Sequence, residues 1–496
     1  MNRKLDEFKK YIYGRRAAVI GVGISNRPLI KWLCSLGVYV TACDKLPADD
    51  PVLGKTIEEF EGQGYKIEWS CGEDYLDILR KEHFDIVFKT PKMRFETPEL
   101  KAAYDNGAVL TTEMELFLAL CPAHTFGITG SDGKTTTTTL VSEMLKASGY
   151  KVWLGGNIGT PLLDQIDNIE ASDMVVLELS SFQLLGMARS VDTAIVTNIT
   201  PNHLDFHKDY EEYIDAKRSI FRNQDATGVL VLNASCDLTY NMKDKRRGRV
   251  SFFARNRQDT LRAGDNEQFG RAYCDNGMLT YEYRGKITSI ISEKDIFIPG
   301  KHNVENYLAA LSAVFEYVNV EDIVKVAKNF KGVPHRIEFV REIDGVSYYN
   351  SSIDTSPNRT MNTMYALADR GMKGVLIAGG ADKKCVYDGL GDAILKVSDR
   401  IILYGSNSSL VSDILAKEAN GREYQLVILD SEDGDVYEFE QTREKVRSKF
   451  VEAVKKAGEL ARPGEIVIMS NIGTSYDHFR HFEHRGDLFK DIVNGL

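Results

Sequence analysis

The chain has 496 residues, of which 43% are hydrophobic and 27% charged, and its formal net charge is −10. At about 150 residues per domain this length predicts roughly three domains, and the acidic balance argues against a nucleic-acid-binding protein, which would carry a basic surplus. The first ten residues are polar, which argues against a signal peptide, and no apolar run approaches the roughly 20 residues of a membrane span. The seven cysteines form no CxxC pair, which argues against a disulfide framework. We therefore expect a cytoplasmic protein.

Strand-like apolar runs alternate with helical periodicity along almost the whole chain, for example at residues 17–21, 194–199 and 465–469. This alternation predicts an α/β fold built from parallel sheets, whose ligands bind at the carboxyl ends of the strands. The polar stretch at residues 245–293 carries alternating strand signals, and we interpret it as a β-rich insert. Boundaries near residues 122 and 334 divide the chain into predicted domains at 1–122, 123–334 and 335–496.

The first glycine-rich loop, GVGISN at residues 21–26, follows a strand-like run, and Asp44 ends the next such run. Glycines let backbone amides approach a pyrophosphate at a helix N-terminus, so this loop is similar to a dinucleotide-binding fingerprint. The third position of that fingerprint is Asn26 instead of glycine, which weakens a nicotinamide interpretation. A nucleotide-diphosphate sugar fits the same cradle, and a tight turn without a ligand is the alternative.

The second glycine-rich loop, at residues 127–136, lies between a strand-like run and a helical segment. It departs from the strict Walker pattern at Ile128 but keeps the spacing GxxGKTT. Backbone amides and the helix dipole would hold phosphate oxygens, while Lys134 reaches a terminal phosphate and Thr135 offers a hydroxyl to Mg²⁺. The alternative is a glycine-rich turn. The predicted phosphate-binding residues are Gly130, Ser131, Asp132, Gly133, Lys134, Thr135 and Thr136.

Two further polar residues follow strand-like runs of the same region. Glu178 ends the run 174–177, where its carboxylate could hold Mg²⁺ beside the phosphate loop. The alternative for Glu178 is a capping or ion-paired glutamate. His203 follows the run 194–199, and its place at the end of a third successive strand favours a functional histidine over the structural one that is common in loops.

Lys217 lies on an apolar stripe of a predicted helix, together with Tyr213, Ile214, Ile220 and Phe221. A lysine on such a stripe must extend to the surface, pair, or lose its proton. A neutral amine at a dry site can add carbon dioxide and become a carbamate, which is an anionic metal ligand. From the spacing alone, extension to the surface is the more common outcome.

Several ordered motifs together resemble the Mur ligase family. They are GSDGKTT at 130–136, GGNIGTP at 155–161, ELSSFQL at 178–184, TNITPNHLDFH at 197–207 with a lysine ten residues later, KHNVENYLAA at 301–310 and PHRIEFV at 334–340. Within the family, the GVGISN opening with Asp44 and the segment TSYDHFRHFEHRG at 474–486 are most similar to the member that joins D-glutamate to UDP-N-acetylmuramoyl-L-alanine.

The resemblance implies three domains: a Rossmann-like domain that binds the UDP substrate, a central ATPase domain and a Rossmann-like domain that binds the amino acid. It also implies ATP and two Mg²⁺ ions as cofactors, a monomer, and no nucleic-acid or membrane partner. ATP would phosphorylate the carboxylate of UDP-N-acetylmuramoyl-L-alanine, and the amine of D-glutamate would attack the acyl phosphate. The product would be a precursor of peptidoglycan.

The resemblance also implies roles for individual residues. The catalytic residues would be Lys134, Glu178, His203 and Lys217, and the metal ligands Thr135, Glu178, His203 and a carbamylated Lys217. Besides the phosphate loop, ATP would contact His302, Asn303, Asn306 and Arg336. The UDP substrate would contact Gly23, Ile24, Ser25, Asp44, Thr90, Asn157, Ser180 and Gln183, and D-glutamate would contact Thr355, Lys383, Ser475 and Phe482.

The chain departs from the family pattern at several elements. The usual NDSKATNP reads NSSIDTSP at 350–357, so that Ser351 and Ile353 replace an aspartate and a lysine, and the usual SPGI reads TPKM at 90–93. Alternatives therefore include another ligase of this superfamily, such as folylpolyglutamate synthase, and a non-catalytic nucleotide-binding descendant. The UDP-type loop at 21–26 argues against the folate enzyme. A P-loop GTPase or kinase would not account for Lys217 or the long C-terminal α/β segment.

Overall fold

The computed structural model describes residues 2–23, 25–204, 206–263, 270–298, 300–381, 386–429, 439–475, 479 and 481–496. Its contacts group the chain into two units, one of residues 1–293 with 305–326 and one of residues 294–304 with 327–496. Across these ranges, no helix combines the length and the apolar character needed to cross a membrane.

The first sheet of the first unit has five parallel strands in the order β3-β2-β1-β4-β5. The strands are β1 Arg16–Ile20, β2 Tyr39–Asp44, β3 Ile67–Cys71, β4 Ile86–Phe88 and β5 Val109–Thr111. The helices are α1 Arg3–Ile12, α2 Asn26–Ser35, α3 Leu53–Gly62, α4 Ile78–Lys81, α5 Pro98–Asp105 and α6 Glu113–Leu120. Strand β1 is buried from Ala17 to Ile20, as expected for a parallel strand covered on both faces.

The second sheet of the first unit has nine strands in the order β14-β13-β12-β11-β10-β9-β6-β8-β7. The strands are β6 His124–Thr129, β7 Val152–Gly156, β8 Met174–Glu178, β9 Thr193–Val196, β10 Val229–Asn233, β11 Arg249–Ala254, β12 Gly270–Asp275, β13 Met278–Tyr283 and β14 Lys286–Ser292. The helices are α7 Lys134–Ala147, α8 Ser181–Leu184, α9 Tyr210–Arg222, α10 Asp237–Tyr240 and α11 Arg257–Thr260, followed by α12 Lys301–Val314 and α13 Val320–Asn329, which both units share.

The predicted β-rich stretch at 245–293 continues this second sheet. Strand β11 pairs parallel to β10, and β12, β13 and β14 then form an antiparallel edge. The polar alternation seen in the sequence thus belongs to strands β11 to β14, at one edge of the second sheet. Strands β9, β6 and β8 lie toward the opposite edge.

The second unit contains a six-stranded sheet in the order β15-β16-β20-β17-β18-β19, parallel except for β15. The strands are β15 Glu338–Ile343, β16 Val346–Ser351, β17 Gly374–Gly379, β18 Ser398–Tyr404, β19 Gln425–Leu429 and β20 Ile466–Ser470. The helices are α14 Pro357–Ala368, α15 Leu390–Leu395, α16 Ser408–Glu418, α17 Phe439–Leu460 and α18 Phe482–Gly495.

The predicted α/β class is confirmed by these three sheets. The predicted boundary at residue 122 falls between α6 and β6, inside the first unit, and that at residue 334 falls between α13 and β15. The division into three domains stays a prediction. The strand predicted at residues 194–199 ends at Val196. Residues 197–199 instead belong to the loop that follows this strand.

Candidate active site

Three neighbouring strands of the second sheet end at the same edge. Strand β6 lies between β9 and β8, with Ile128 opposite Glu178 and Thr129 opposite Val196. The chain leaves β6 into the loop 130–133, and α7 begins at Lys134. The exposed amides and positive dipole end of a 14-residue helix therefore face this loop, which is a setting that binds phosphate.

Two glycines of this loop lie so close to neighbouring side chains that a Cβ atom would not fit. Gly130 has φ +151°, and a Cβ there would lie 1.9 Å from Thr197 Oγ1. Gly133 has φ +76°, and its Cβ would lie 2.4 Å from Asn306 Oδ1. Asn198 fixes the loop from β9, since its backbone oxygen accepts from the Ser131 amide and its Oδ1 accepts from the Asp132 amide, both at 2.9 Å.

Lys134 and Lys217 donate to the same carbonyl. Lys134 Nζ lies 3.0 Å from Gly130 O and 2.9 Å from Ser131 O, and Lys217 Nζ lies 2.8 Å from Gly130 O. The phosphate loop and helix α9 are thereby joined at one atom, and the structure brings the two predicted site lysines together.

Lys217 is buried, with 2% of its surface exposed. Its ammonium lies 4.6 Å from the ring centroid of Tyr213, whose hydroxyl lies 2.8 Å from Ser131 Oγ. Burial, reinforced by the nearby Lys134 cation and opposed by Asp132, lowers the pKa of Lys217 well below its ordinary value. The extension to the surface that the spacing favoured does not occur, because the whole side chain is buried.

Glu178 is a buried carboxylate with one oxygen unused. Its Oε1 accepts from Asn157 Nδ2 at 2.9 Å, while Oε2 is buried and has no hydrogen-bond partner in the part of the chain that the structure describes. A buried carboxylate oxygen in this state favours a cation. Among the described residues, no three histidine, cysteine, aspartate or glutamate side chains are arranged so that they could hold a metal ion by themselves. Mg²⁺ usually takes one or two carboxylates with substrate phosphates, and the single carboxylate of Glu178 fits that pattern.

His203 lies in the loop after β9, is exposed and has φ +56°. Its ring centroid lies 4.9 Å from that of Phe182, which follows Glu178 by four residues. His207, which the sequence analysis did not select, is buried in the same loop, and its Nε2 lies 3.0 Å from Ser181 Oγ. Burial lowers the pKa of His207. Its place in the motif at 197–207 was the signal that could have identified it.

The loop after β1 is shaped by Asp44 and Asn26. Asp44 Oδ2 accepts from the Val22 amide at 2.7 Å. Asn26 Nδ2 donates to Ile20 O at 3.0 Å and to Gly21 O at 2.9 Å. The asparagine that replaces the third glycine therefore closes the turn. Gly23, Ser25 and Thr90 also lie at this end of the first sheet, and Ile24 lies outside the described residues.

Ser180 and Gln183 form a capping box at the start of α8. Ser180 Oγ accepts from the Gln183 amide at 3.3 Å, and Gln183 Oε1 accepts from the Ser180 amide at 3.0 Å. These contacts give both residues a structural role beside Glu178, and their predicted contact with the substrate stays a prediction.

The second unit holds the residues predicted for D-glutamate. Ser475 is buried, Thr355 and Phe482 are half-buried, and Lys383 lies outside the described residues. Asp354 Oδ2 accepts from Thr363 Oγ1 and from Ser470 Oγ, both at 2.7 Å. The carboxylate of the altered 350–357 element thus ties β20 to α14.

The residues predicted for the adenine side divide between the units. Asn306 belongs to the first unit, where its Oδ1 accepts from Thr137 Oγ1 at 3.3 Å on the helix of the phosphate loop. His302, Asn303 and Arg336 belong to the second unit.

The Mur ligase middle domain family matches residues 128–314. The chain is 46% identical over 498 residues to the UDP-N-acetylmuramoylalanine–D-glutamate ligase of Acetivibrio thermocellus and 44% identical over 499 residues to that of Ruminiclostridium cellulolyticum, with 100% of both chains covered in each case. The solved UDP-N-acetylmuramate-alanine ligase of Thermotoga maritima is similar in fold, with a TM-score of 0.55 at 16% identity over 97% of this chain and 99% of that one.

Proposed function

The chain belongs to the Mur ligase family, and we propose that it is the ATP-dependent ligase that joins D-glutamate to UDP-N-acetylmuramoyl-L-alanine. The observation that carries this proposal is its full-length identity of 46% to a ligase of that name. The buried carboxylate of Glu178 next to the phosphate loop, whose Oε2 accepts no hydrogen bond from the described residues, supports the phosphoryl chemistry.

A carboxylate is a poor electrophile, so the reaction first needs a leaving group. The substrate carboxylate attacks the γ-phosphorus of ATP, ADP leaves, and an acyl phosphate results. The neutral amine of D-glutamate then adds to the acyl carbon, and inorganic phosphate departs from the tetrahedral intermediate. This sequence yields one amide, ADP and phosphate, and the released proton passes to water or a nearby base.

The chain's own residues handle the charge of these steps. Lys134 would turn from the carbonyls of Gly130 and Ser131 to the terminal phosphate, and the amides at the start of α7 would hold the phosphate oxygens. Bound Mg²⁺ would offset the negative charge that accumulates on the phosphoryl oxygens. Glu178 and Thr135 would hold the first ion, and His203 with Lys217 would support the second.

The buried amine of Lys217 supports the proposed carbamate. Burial lowers the pKa of this amine and so favours its neutral form, which would attack carbon dioxide, forming a C–N bond and releasing one proton. The carbamate would place an anion in a pocket that already contains the Lys134 cation, so that the two side chains would attract each other.

The remaining predicted contacts complete the proposal. The edge of the first sheet, with Gly23, Ser25, Asp44 and Thr90, would bind the UDP moiety. The second unit would bind D-glutamate, and the three proposed domains would be 1–122, 123–334 and 335–496.

The test is phosphate release from ATP with each substrate omitted in turn and with L-glutamate in place of D-glutamate. We expect release only when UDP-N-acetylmuramoyl-L-alanine and D-glutamate are both present, with the amide product formed in equal amount. Lys134→Ala should abolish release, whereas Lys146→Ala, an exposed lysine on the same helix, is the matched control. Equal release without the amino acid would contradict ligation.

A further inference from the structure

The segment 92–96, which we name the strap, follows β4 of the first sheet and packs on the second sheet's site region. Lys92 Nζ lies 5.4 Å from the ring centroid of Phe182, and Lys208 Nζ lies 2.9 Å from Glu96 Oε1. A Cβ added to Gly186 would lie 2.6 Å from the ring of Phe95. The strap therefore packs its side chains against the segment 182–212, which contains His203.

The strongest contact of the strap is between Arg94 and Glu212. The guanidinium donates two hydrogen bonds to the carboxylate, at 3.1 and 2.5 Å, and the side chains are 25% and 19% exposed. Chiefly through this bond, the pKa of Glu212 is lowered to about 2. Bidentate pairs of this kind fix geometry as well as supplying energy.

Glu212 passes this constraint to the loop that carries His203. Its Oε2 also accepts from the Lys208 amide at 2.8 Å and lies 3.5 Å from Nδ1 of the buried His207. Glu212 lies in the first turn of α9, on the helix that carries Lys217. One carboxylate thus joins the strap, the end of the His203 loop and the start of the lysine-bearing helix.

A second set of contacts leads from the same arginine to His203. The Arg94 guanidinium lies 5.9 Å from the ring centroid of Phe206. Phe206 lies 4.9 Å from Phe182, and Phe182 lies 4.9 Å from His203, between ring centroids. His203 is exposed and has a left-handed backbone, and its ring packs against the Phe182 end of this row of rings.

We propose that Arg94 is a positioning residue of the active site, which acts through Glu212 and Phe206 to hold His203 and the start of the Lys217 helix in their working arrangement. The inference rests on the proposed roles of His203 and Lys217. Arg94 is linked to them through its contacts with Glu212 and Phe206. It follows that the phosphate site is completed by a segment that belongs to the first sheet.

The experiment compares Arg94→Ala, Arg94→Lys, Glu212→Gln and the double variant Arg94→Ala/Glu212→Gln. Arg80→Ala is the matched control, because Arg80 forms a similar pair with Glu99 at 2.5 Å between α4 and α5. The readouts are kcat, the KM of each substrate, and hydrogen exchange of the Lys208 amide, which Glu212 holds. The exchange measurement uses the protein without substrates.

For Arg94→Ala we expect kcat to fall about 10- to 100-fold, with the KM of the UDP substrate changed less than about threefold. Arg94→Lys should recover part of kcat, Arg80→Ala should stay within about twofold of the parent, and the double variant should lose no more than the worse single variant. Lys208 exchange should accelerate about tenfold or more in Arg94→Ala and Glu212→Gln.

The proposal is overturned by an Arg94→Ala kcat within about twofold of the parent, by additive losses in the double variant, or by unchanged Lys208 exchange. Glu212→Gln keeps the side-chain shape but removes the charge and one of the two acceptor oxygens of the bidentate pair, so its kcat and Lys208 exchange decide the question if Arg94→Ala folds poorly. Failure of the proposed ligase function would appear separately, as absence of product with the parent protein.

Discussion

Replacing Lys217 with alanine tests the centre of the proposed site. The change removes the amine that lies 2.8 Å from Gly130 O and, in the proposed carbamylated form, a ligand of the second Mg²⁺. We expect kcat to fall at least about 1,000-fold, which corresponds to about 4 kcal/mol of lost transition-state stabilisation.

The effect on folding should be much smaller than the effect on catalysis. Lys217 is 2% exposed, so truncation leaves a cavity that costs about 2–3 kcal/mol. Removing a poorly solvated amine offsets part of that cost. The net loss of stability should stay within about 2 kcal/mol, as measured by urea denaturation.

The assay is ligation in the presence of formate or acetate, with Lys217→Met beside Lys217→Ala. The alanine variant leaves room for a small carboxylate to take the place of a carbamate, whereas methionine fills that room. Activity should recover about tenfold or more in the alanine variant and remain lost in the methionine variant. Full activity of Lys217→Ala, or equal recovery in both variants, would refute the reasoning.

Two further predictions concern the first sheet. Burial lowers the pKa of Lys89 from 10.5 to about 8, so the folded protein binds fewer protons than the unfolded chain between those values and its stability rises with pH there. Lys89→Met should therefore raise the free energy of unfolding by about 2–3 kcal/mol at pH 7 and by much less at pH 10.5, as measured by urea denaturation. An equal gain at both pH values would contradict this reasoning. Asn26→Gly removes two hydrogen bonds to Ile20 and Gly21 and should cost about 1–2 kcal/mol in the same measurement; an unchanged midpoint would show that the side chain does not close the turn.

The sequence predicted the parts of the site that depend on local pattern. The phosphate loop follows β6, Glu178 ends β8, and Lys217 is on the buried face of α9, although the spacing alone favoured its extension to the surface. Each depends on residues within a few positions of one another, because strand ends and helical faces are set by short-range periodicity.

The contacts that complete the site could not be predicted in this way. Arg94 and Glu212 are 118 residues apart in the chain, and only the packing of the two sheets brings them together. Likewise, no sequence pattern predicts that Asn198 accepts hydrogen bonds from the backbone of the phosphate loop. In the altered 350–357 element, the Asp354 carboxylate accepts from the buried hydroxyl of Ser470, which is 116 residues away, and this contact could not be predicted either.

The burial of the Lys217 amine has a practical consequence for anyone who purifies this protein. Because burial lowers its pKa, its neutral form would react with small electrophiles that can diffuse through tight packing, such as dissolved carbon dioxide or the cyanate that forms in old urea solutions. Two samples of identical sequence would then differ in specific activity according to the gas and the urea they had met. Bicarbonate content belongs among the controlled variables of any measurement on this enzyme.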